Sequence, residues 1–326
     1  MAAPRFQIIS DLHLETPIQT PSYSYFSSPS NFPLPTNHLF LLGDIGLITH
    51  SSPLLHFLRS LLLRSFSLEI FYVLGNHECY HTTFENGLAM LQSWDTLLNS
   101  EFGARFHVME RRRVDISETL TLLGCMLWTH VPENHAQIVA QGVKDFDDKT
   151  RIWDRSLDDH NADHARDLAW LNAQVKVIED SEPHREIVVL THHSPTTDPR
   201  ANSKRFLPER PMNSAFRTDL SKERCWTSKS VKVWAFGHTH FSCQFVDSTS
   251  GEGGRRKLVV ANQKGYAYLE GIGNWKIEPV VVGREDGVWK VVVGERKVGD
   301  GKEDAGIEKP KTSVRGEVLR TTSQGS

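Results

Sequence analysis

Five short apolar runs in this chain stop on the same kind of residue. Residues 6–10 lead into Asp11-Leu12-His13, and residues 39–42 into Gly43-Asp44. Residues 70–74 lead into Gly75-Asn76-His77-Glu78, 187–190 into Thr191-His192-His193, and 231–236 into Gly237-His238-Thr239-His240. Apolar runs of this length bounded by turn residues read as strands buried on both faces. In open α/β sheets the C-terminal ends of such strands form the ligand crevice. A glycine precedes the polar residue in three of the five cases, which suits a backbone that turns tightly or approaches a ligand.

The segments between these runs set the organisation. Residues 16–37 carry Pro17, Pro21, Pro29, Pro33 and Pro35, which excludes a helix or central strand and predicts a long surface loop. Ser51-Ser52-Pro53 reads as a helix start, with Leu54, Leu55, Leu58, Leu61 and Leu62 on one stripe. Residues 84–102 form an amphipathic pattern through Leu88, Leu91, Trp94 and Leu98. Residues 119–127 are β-rich, and 132–182 are polar and mainly helical, most clearly over 158–179. Residues 241–246 can pair with 257–261, and 280–282 with 289–293, as hairpins. From 297 to 326 the chain is Gly, Lys, Glu, Ser and Thr with few large apolar residues. One catalytic domain over 1–296 with a disordered tail is predicted.

The donor set at the strand ends is two Asp, one Asn and several His, all oxygen and nitrogen ligands. It suits Mn, Fe or Zn and disfavours a thiolate cluster. Asp11 and His13 are two residues apart, as are His238 and His240, so at the end of an extended strand each pair would share a side. Taken singly the pieces are weak: Gly-Asp is a common turn, Asn76 could cap a turn, and one of His192 and His193 could be a core histidine. Their joint occurrence, each at a strand end, is what carries weight.

Composition narrows the classes further. Of 326 residues, 39% are hydrophobic and 24% charged, with a formal net charge of −3; that balance lacks the basic field of broad nucleic-acid binding. Cys79, Cys125, Cys225 and Cys243 form no CxxC pair, so a disulfide scaffold is disfavoured and a reducing, cytoplasmic setting is expected. Residues 54–66, the most apolar stretch, contain Arg59 and Arg64 and are too short to span a membrane. The N-terminal run is only strand-sized, so no secretion signal is read there.

At these residues the sequence resembles the calcineurin-like metallophosphoesterase superfamily: Asp11/His13, Gly43/Asp44, Gly75 to Glu78, His192, and Gly237 to His240. Asn262, Gly265 and Tyr266 resemble a short Asn-x-x-Gly-Tyr segment that follows the last of these motifs. The resemblance implies an α/β fold, a four-layer αββα sandwich of two mixed β-sheets, with a dinuclear metal site at the strand C-terminal ends. It implies Asp11, His13 and His240 on one metal, Asn76, His192 and His238 on the other, and Asp44 bridging both; His193 stays open as an alternative to His192. It further implies two divalent or trivalent ions, a metal-bridging hydroxide that attacks phosphorus, and His77 with Asp44 as the catalytic residues, His77 as general acid or transition-state donor.

One departure stands out. Many members extend Gly-Asp to Gly-Asp-x-x-Asp, the last Asp orienting the catalytic His, and here that position is Leu47. The protein Ser/Thr phosphatase subgroup is therefore disfavoured, and what orients His77 is left open. Residues 129–183 and 194–230 are expected to form cap or substrate loops. Arg151, Arg155, Arg166, Lys204, Arg205, Arg210 and Arg217 are candidate phosphate grips there, and Trp128, Trp153 and Trp226 candidate stacking surfaces, although surface charge and core packing are the plainer roles. The expected function is hydrolysis of a phosphomonoester or phosphodiester in a small molecule or nucleotide. The alternatives are a nucleic-acid phosphodiesterase of nuclease or debranching type and a catalytically silent scaffold. Oligomeric state is not readable.

Overall fold

The computed structural model describes residues 4–146, 151–204, 209–249, 254–266 and 276–294; the tail expected over 297–326 lies outside them. The strands are β1 (Arg5–Ile9), β2 (His38–Leu42), β3 (Glu69–Val73), β4 (Thr82–Thr83), β5 (Phe106–Val108), β6 (Arg112–Ser117) and β7 (Leu120–Gly124), then β8 (Ile152–Trp153), β9 (Glu186–Leu190), β10 (Val231–Ala235), β11 (Cys243–Ser248), β12 (Arg256–Ala261), β13 (Val280–Glu285) and β14 (Val288–Val293). The helices are α1 (Tyr23–Phe26), α2 (Ser51–Leu62), α3 (Phe84–Phe102), α4 (Glu133–Gly142), α5 (Leu157–Ser181) and α6 (Arg224–Thr227).

Two six-stranded sheets result. The first runs β14-β13-β1-β2-β3-β5 and the second β11-β12-β10-β9-β7-β6. Strands β1, β2, β3 and β5 are mutually parallel, with β13 antiparallel to β1 and β14 to β13. Strands β12, β10, β9 and β7 are likewise parallel, flanked by antiparallel β11 and β6. Both sheets are therefore mixed. Parallel neighbours need a crossover, and α2 supplies it between β2 and β3, α3 between β3 and β5.

Three cores separate four layers. Phe6, Ile8, Phe40, Leu42 and Phe71 of the first sheet meet Leu122, Val188, Leu190, Val233 and Val260 of the second. On the outer face of the first sheet Leu39, Leu41, Ile70 and Tyr72 pack with Leu54, Leu58 and Leu61 of α2 and Leu91, Trp94 and Leu98 of α3. On the outer face of the second, Ile187, Val189, Trp234 and Val259 pack with Leu171, Val175 and Ile178 of α5. This is the αββα sandwich, and it explains why the central strands are apolar without alternation: both faces are covered.

Local chemistry accounts for the helix limits. The Thr83 side chain accepts a hydrogen bond from the Asn86 amide at the start of α3, and Ser156 forms a capping box with Asp159 at the start of α5. Residues 16–37 differ from expectation. They include α1, and Tyr23, Phe26 and Phe32 are buried in the core beside α2. The short helix lies between Pro21 and Pro29, and the buried aromatic residues anchor the segment. Strands β5 and β6 have no clear sequence signal; β5 has three residues, and β6 is a polar edge strand.

The segments 129–183 and 194–230 meet in a small core of Val131, Val139 and Ala215, with Phe146 and Phe216 packed against it. The expected cap does not extend over the whole of either segment: α5 and α6 belong to the outer layer over the second sheet. No helix among the described residues is long and apolar enough to cross a membrane.

Candidate metal centre

Strands β1, β2 and β3 deliver Asp11 and His13, Asp44, and Asn76 with His77; β9 and β10 deliver His192 and the pair His238 and His240. Within the first sheet the Asp11 amide donates to the Gly43 carbonyl (2.9 Å), and within the second the Gly237 amide donates to the His192 carbonyl (2.8 Å). The His238 amide joins the two sheets at this edge by donating to the Asp11 carboxylate (3.0 Å).

The paired residues converge for a reason other than the expected one. The extended strands end at Ile9 and Ala235, before the motifs begin. Asp11, His13, Asp44, His238 and His240 all take positive φ, of 53°, 46°, 53°, 71° and 49°. Non-glycine residues rarely occupy this left-handed region, and its strain persists only where the surroundings enforce it. Tight left-handed turns, not a continued pleat, aim these side chains. The glycines leave the space: a Cβ on Gly43 would lie 2.3 Å from His192 Nδ1, and one on Gly75 2.3 Å from the Asp44 amide.

The side chains then meet. His13 Nε2 is 3.0 Å from His240 Nε2 and 3.8 Å from Asp44 Oδ2. His240 Nε2 is 3.4 Å from Asp11 Oδ1. On the other side of Asp44, His192 Nε2 lies 3.5 Å from Asp44 Oδ1, 3.1 Å from Asn76 Oδ1 and 3.2 Å from His238 Nδ1. Asp44 thus stands between two groups, Asp11/His13/His240 and Asn76/His192/His238. His193 is fully buried against His238, with ring centroids 4.1 Å apart, and neither of its ring nitrogens has a hydrogen-bond partner among the described residues.

Protonation makes this a cation site. His192 Nδ1–H donates to the Leu42 carbonyl (2.8 Å), and His13 Nδ1–H to Glu15 Oε1 (3.2 Å). Each neutral ring therefore turns an Nε2 lone pair into the cluster. Burial, then the nearby His77, pushes His13 down to about 3, and burial lowers His192 and His238 as well. Asn76 Nδ2 donates to Asp145 Oδ1 (2.9 Å), which directs its Oδ1 at His192. Burial, Glu78 and Asp11 push the Asp44 carboxyl well above the carboxylate range. Lone pairs facing lone pairs beside crowded carboxylates are the demand that a bound cation reverses. The donor set and its convergence fit two metal ions.

The family model for calcineurin-like phosphoesterases matches residues 4–242. The chain belongs to the calcineurin-like phosphoesterase family. It is a phosphoester hydrolase by that membership. Phosphopantetheinyl hydrolase (PptH) from Mycobacterium tuberculosis aligns at 18% identity and a TM-score of 0.52, over 81% of this chain and 90% of the other. A 5'-nucleotidase precursor from Thermus thermophilus aligns at 13% identity and 0.41, over 89% of this chain and 54% of the other. NAD nucleotidase (NadN) from Haemophilus influenzae aligns at 10% and 0.40, over 88% and 48%. The chain spans about half the length of those two nucleotidases. A search of curated proteins returns no match.

The sequence assigns no role to several residues around this cluster, although Glu78 and Tyr266 lie in its motifs. Glu78 is fully buried and accepts from the amides of Asp44 (2.9 Å), Ile45 (2.8 Å) and Gly75 (2.9 Å) and from the Tyr72 hydroxyl (2.7 Å). Glu15 lies between two rings, 3.2 Å from His13 Nδ1 and 3.4 Å from His77 Nδ1. Asp145 holds Asn76 and accepts from the Tyr80 hydroxyl (2.6 Å). Tyr266, noted only as part of a segment, places its hydroxyl 3.0 Å from His77 Nε2 and stacks on His13 with centroids 4.2 Å apart.

The candidate phosphate grips fare differently. Arg155 and Arg166 both pair with Asp163, and Arg155 lies over the buried Trp128 ring. Arg217 is buried and pairs with Glu209 (2.7 Å). Trp226 packs on Trp234, whereas Trp153 is exposed. Arg205 lies outside the described residues.

Proposed function

We propose that this phosphoesterase cleaves a phosphomonoester or phosphodiester in a small molecule or nucleotide, at the cluster centred on Asp44. The observation that carries the reading is the two-sided convergence on Asp44, with His13 Nε2 and Asp44 Oδ2 3.8 Å apart and His192 Nε2 and Asp44 Oδ1 3.5 Å apart. Asp11, His13 and His240 would hold one ion, Asn76, His192 and His238 the other, with Asp44 shared. When bound, such a pair supplies positive charge for the phosphoryl oxygens and acidifies the attacking water.

The chain's own residues supply the rest. The His77 amide donates to Asp44 Oδ1 (2.8 Å), which fixes the loop that carries the His77 ring beside the cluster. From there the ring can give a proton to the departing oxygen. Phe216 stacks on His238, with centroids 5.2 Å apart. The cleft next to it is lined by Asn202, Asn213, Phe216, Arg217 and Thr239. Amide, guanidinium and aromatic groups there suit a compact polar substrate. A net charge of −3 counts against a polynucleotide. The four cysteines are buried thiols, which supports a reducing, cytoplasmic setting.

The test is a panel of phosphomonoesters, phosphodiesters, cyclic nucleotides, pyrophosphates, a phosphopantetheinyl compound and single-stranded DNA, each with Mn²⁺, Fe²⁺ and Zn²⁺. Turnover of a small substrate that is lost in Asp44→Asn supports the reading. No turnover of any substrate by folded, metal-replete protein overturns it.

A further inference from the structure

We propose that Glu15 is the positioning residue for His77, and that its one carboxylate holds His77 and the candidate metal ligand His13 together. The inference rests on the proposed role of His77. Position 47, where an aspartate would serve, is a buried leucine without an acceptor. The carboxylate comes instead from the loop after β1. Glu15 Oε1 lies 3.2 Å from His13 Nδ1 and 3.4 Å from His77 Nδ1, and the two imidazoles meet edge to face with centroids 4.5 Å apart.

A carboxylate oxygen can only accept from these rings, so His13 Nδ1 carries hydrogen, and in the proposed arrangement His77 Nδ1–H faces the same acceptor at 3.4 Å. The consequence differs for the two histidines. In His13 it leaves Nε2 as a lone pair toward Asp44 and His240. In His77 it aims Nε2 at the Tyr266 hydroxyl 3.0 Å away, which then donates to it. Glu15, His77 and Tyr266 form a chain beside His13, on which Tyr266 stacks. A ring that passes a proton from Nε2 to a leaving oxygen starts with both nitrogens protonated. It ends with Nδ1–H kept on Glu15 and Nε2 accepting from Tyr266. Glu15 itself is held among these groups with 9% of its surface exposed, so the link is shielded from competing water. One carboxylate thus sets the tautomer and tilt of a ligand and of a proton donor at once.

The experiment is a double-mutant cycle with Glu15→Ala and His77→Ala, assayed on p-nitrophenyl phosphate and on phenyl phosphate, whose leaving group needs protonation more. Glu15→Gln is a second variant that preserves volume, and metal content and melting temperature are measured throughout. Removing such a supporting partner lowers kcat by about 10–100-fold. The expected loss is larger on phenyl phosphate, with KM little changed, and Glu15→Ala adds little once His77 is alanine. Independently, imidazole ¹H–¹⁵N spectra of the zinc-loaded protein should report an Nδ1–H tautomer for His77, lost in Glu15→Ala and kept in Glu15→Gln, whose amide oxygen still accepts. Additive losses in the cycle, or an unchanged His77 tautomer in folded Glu15→Ala, overturn the inference. If His77→Ala leaves kcat unchanged while the tautomer still depends on Glu15, the role of His77 in the proposed function fails and the positioning contact stands.

Discussion

Nε2 of His13, from the first sheet, faces Nε2 of His240, from the second, across 3.0 Å. With His13 Nδ1 committed to Glu15, its Nε2 presents a lone pair, and the Asp11 carboxylate lies 3.4 Å from the facing ring. A cation joins what these groups otherwise crowd. Metal ions should therefore stabilise the fold as well as support turnover. At a free metal concentration of 100 Kd, the gain for one site is about 2.7 kcal/mol. Chelation should lower the melting temperature, and titrating Mn²⁺ or Zn²⁺ should raise it progressively. The rise should be blunted in His240→Ala. A melting temperature indifferent to both chelator and metal would remove the cluster from consideration as a metal centre.

Gly43 and Gly103 both take positive φ, 83° and 76°, but only Gly43 has neighbours in the way. A Cβ at Gly103 meets nothing within 4 Å; at Gly43 it lies 2.3 Å from His192 Nδ1 and 2.8 Å from the Gly75 Cα. Gly103 sits at φ 76°, ψ 177°, a region essentially confined to glycine, so Gly103→Ala should cost about 1–3 kcal/mol from backbone strain alone. Gly43→Ala should cost about 1–3 kcal/mol more through overpacking and should abolish turnover by displacing His192. Urea denaturation of both variants, with activity assays, separates strain from clash. Equal stabilities with full activity in Gly43→Ala would contradict the geometry.

The residues that meet at the cluster are readable because buried strands announce their ends. An apolar run followed by Gly-Asp or Gly-His-Thr-His places a polar side chain at a sheet edge whatever the register. Glu15 gives no such signal, and Tyr266 shows only as part of a motif, without its role. Glu15 follows a loop of apolar and polar residues, and its partner His77 is remote in sequence, so only the tertiary fold brings them within 3.4 Å. The burial of Tyr23, Phe26 and Phe32 is masked for a related reason: proline content describes local backbone limits, not whether a segment is anchored. The alignment of Asp11 with His13 also follows from strain that periodicity does not encode, since both residues leave the extended region.

Lys257 on β12 is fully buried; its ammonium donates to the Trp226 carbonyl and lies 4.0 Å from that ring's centroid. Burial, helped by Arg255 and opposed by Asp247, pulls it from an ordinary value of 10.5 down to about 7. Between those values the unfolded chain holds a proton that the native state has shed. Stability should therefore rise with pH from about 7 toward 10.5, with a slope approaching about 1.4 kcal/mol per unit for this group. Lys257→Met should lack that increment and gain most over the parent below pH 7. Parallel denaturant titrations of the two proteins across this range check it, and a constant stability difference would refute the assignment.

Glu78 ties the Gly-Asp loop after β2 to the Gly-Asn-His loop after β3. Its Oε2 accepts from the amides of Asp44 and Gly75, and its Oε1 from the Ile45 amide and the Tyr72 hydroxyl. Glutamine has nearly the same shape but replaces one acceptor with an NH₂ group. With its NH₂ at the Oε2 position it confronts two amides; at the Oε1 position the Tyr72 hydroxyl can turn to accept and the Ile45 amide is orphaned. No water reaches a side chain with no exposed surface. Each orphaned buried donor costs about 1–3 kcal/mol, so Glu78→Gln in its better flip should destabilise by about 1–3 kcal/mol. Because Asp44 and Asn76 ride on the two loops it joins, metal affinity should fall as well, even in the fraction that remains folded. Calorimetric titration of the chelator-treated variant with Mn²⁺, at a temperature where circular dichroism confirms folding, measures the second effect apart from the first. Parent-like affinity with reduced stability would mean that the loops hold their ligands without this carboxylate.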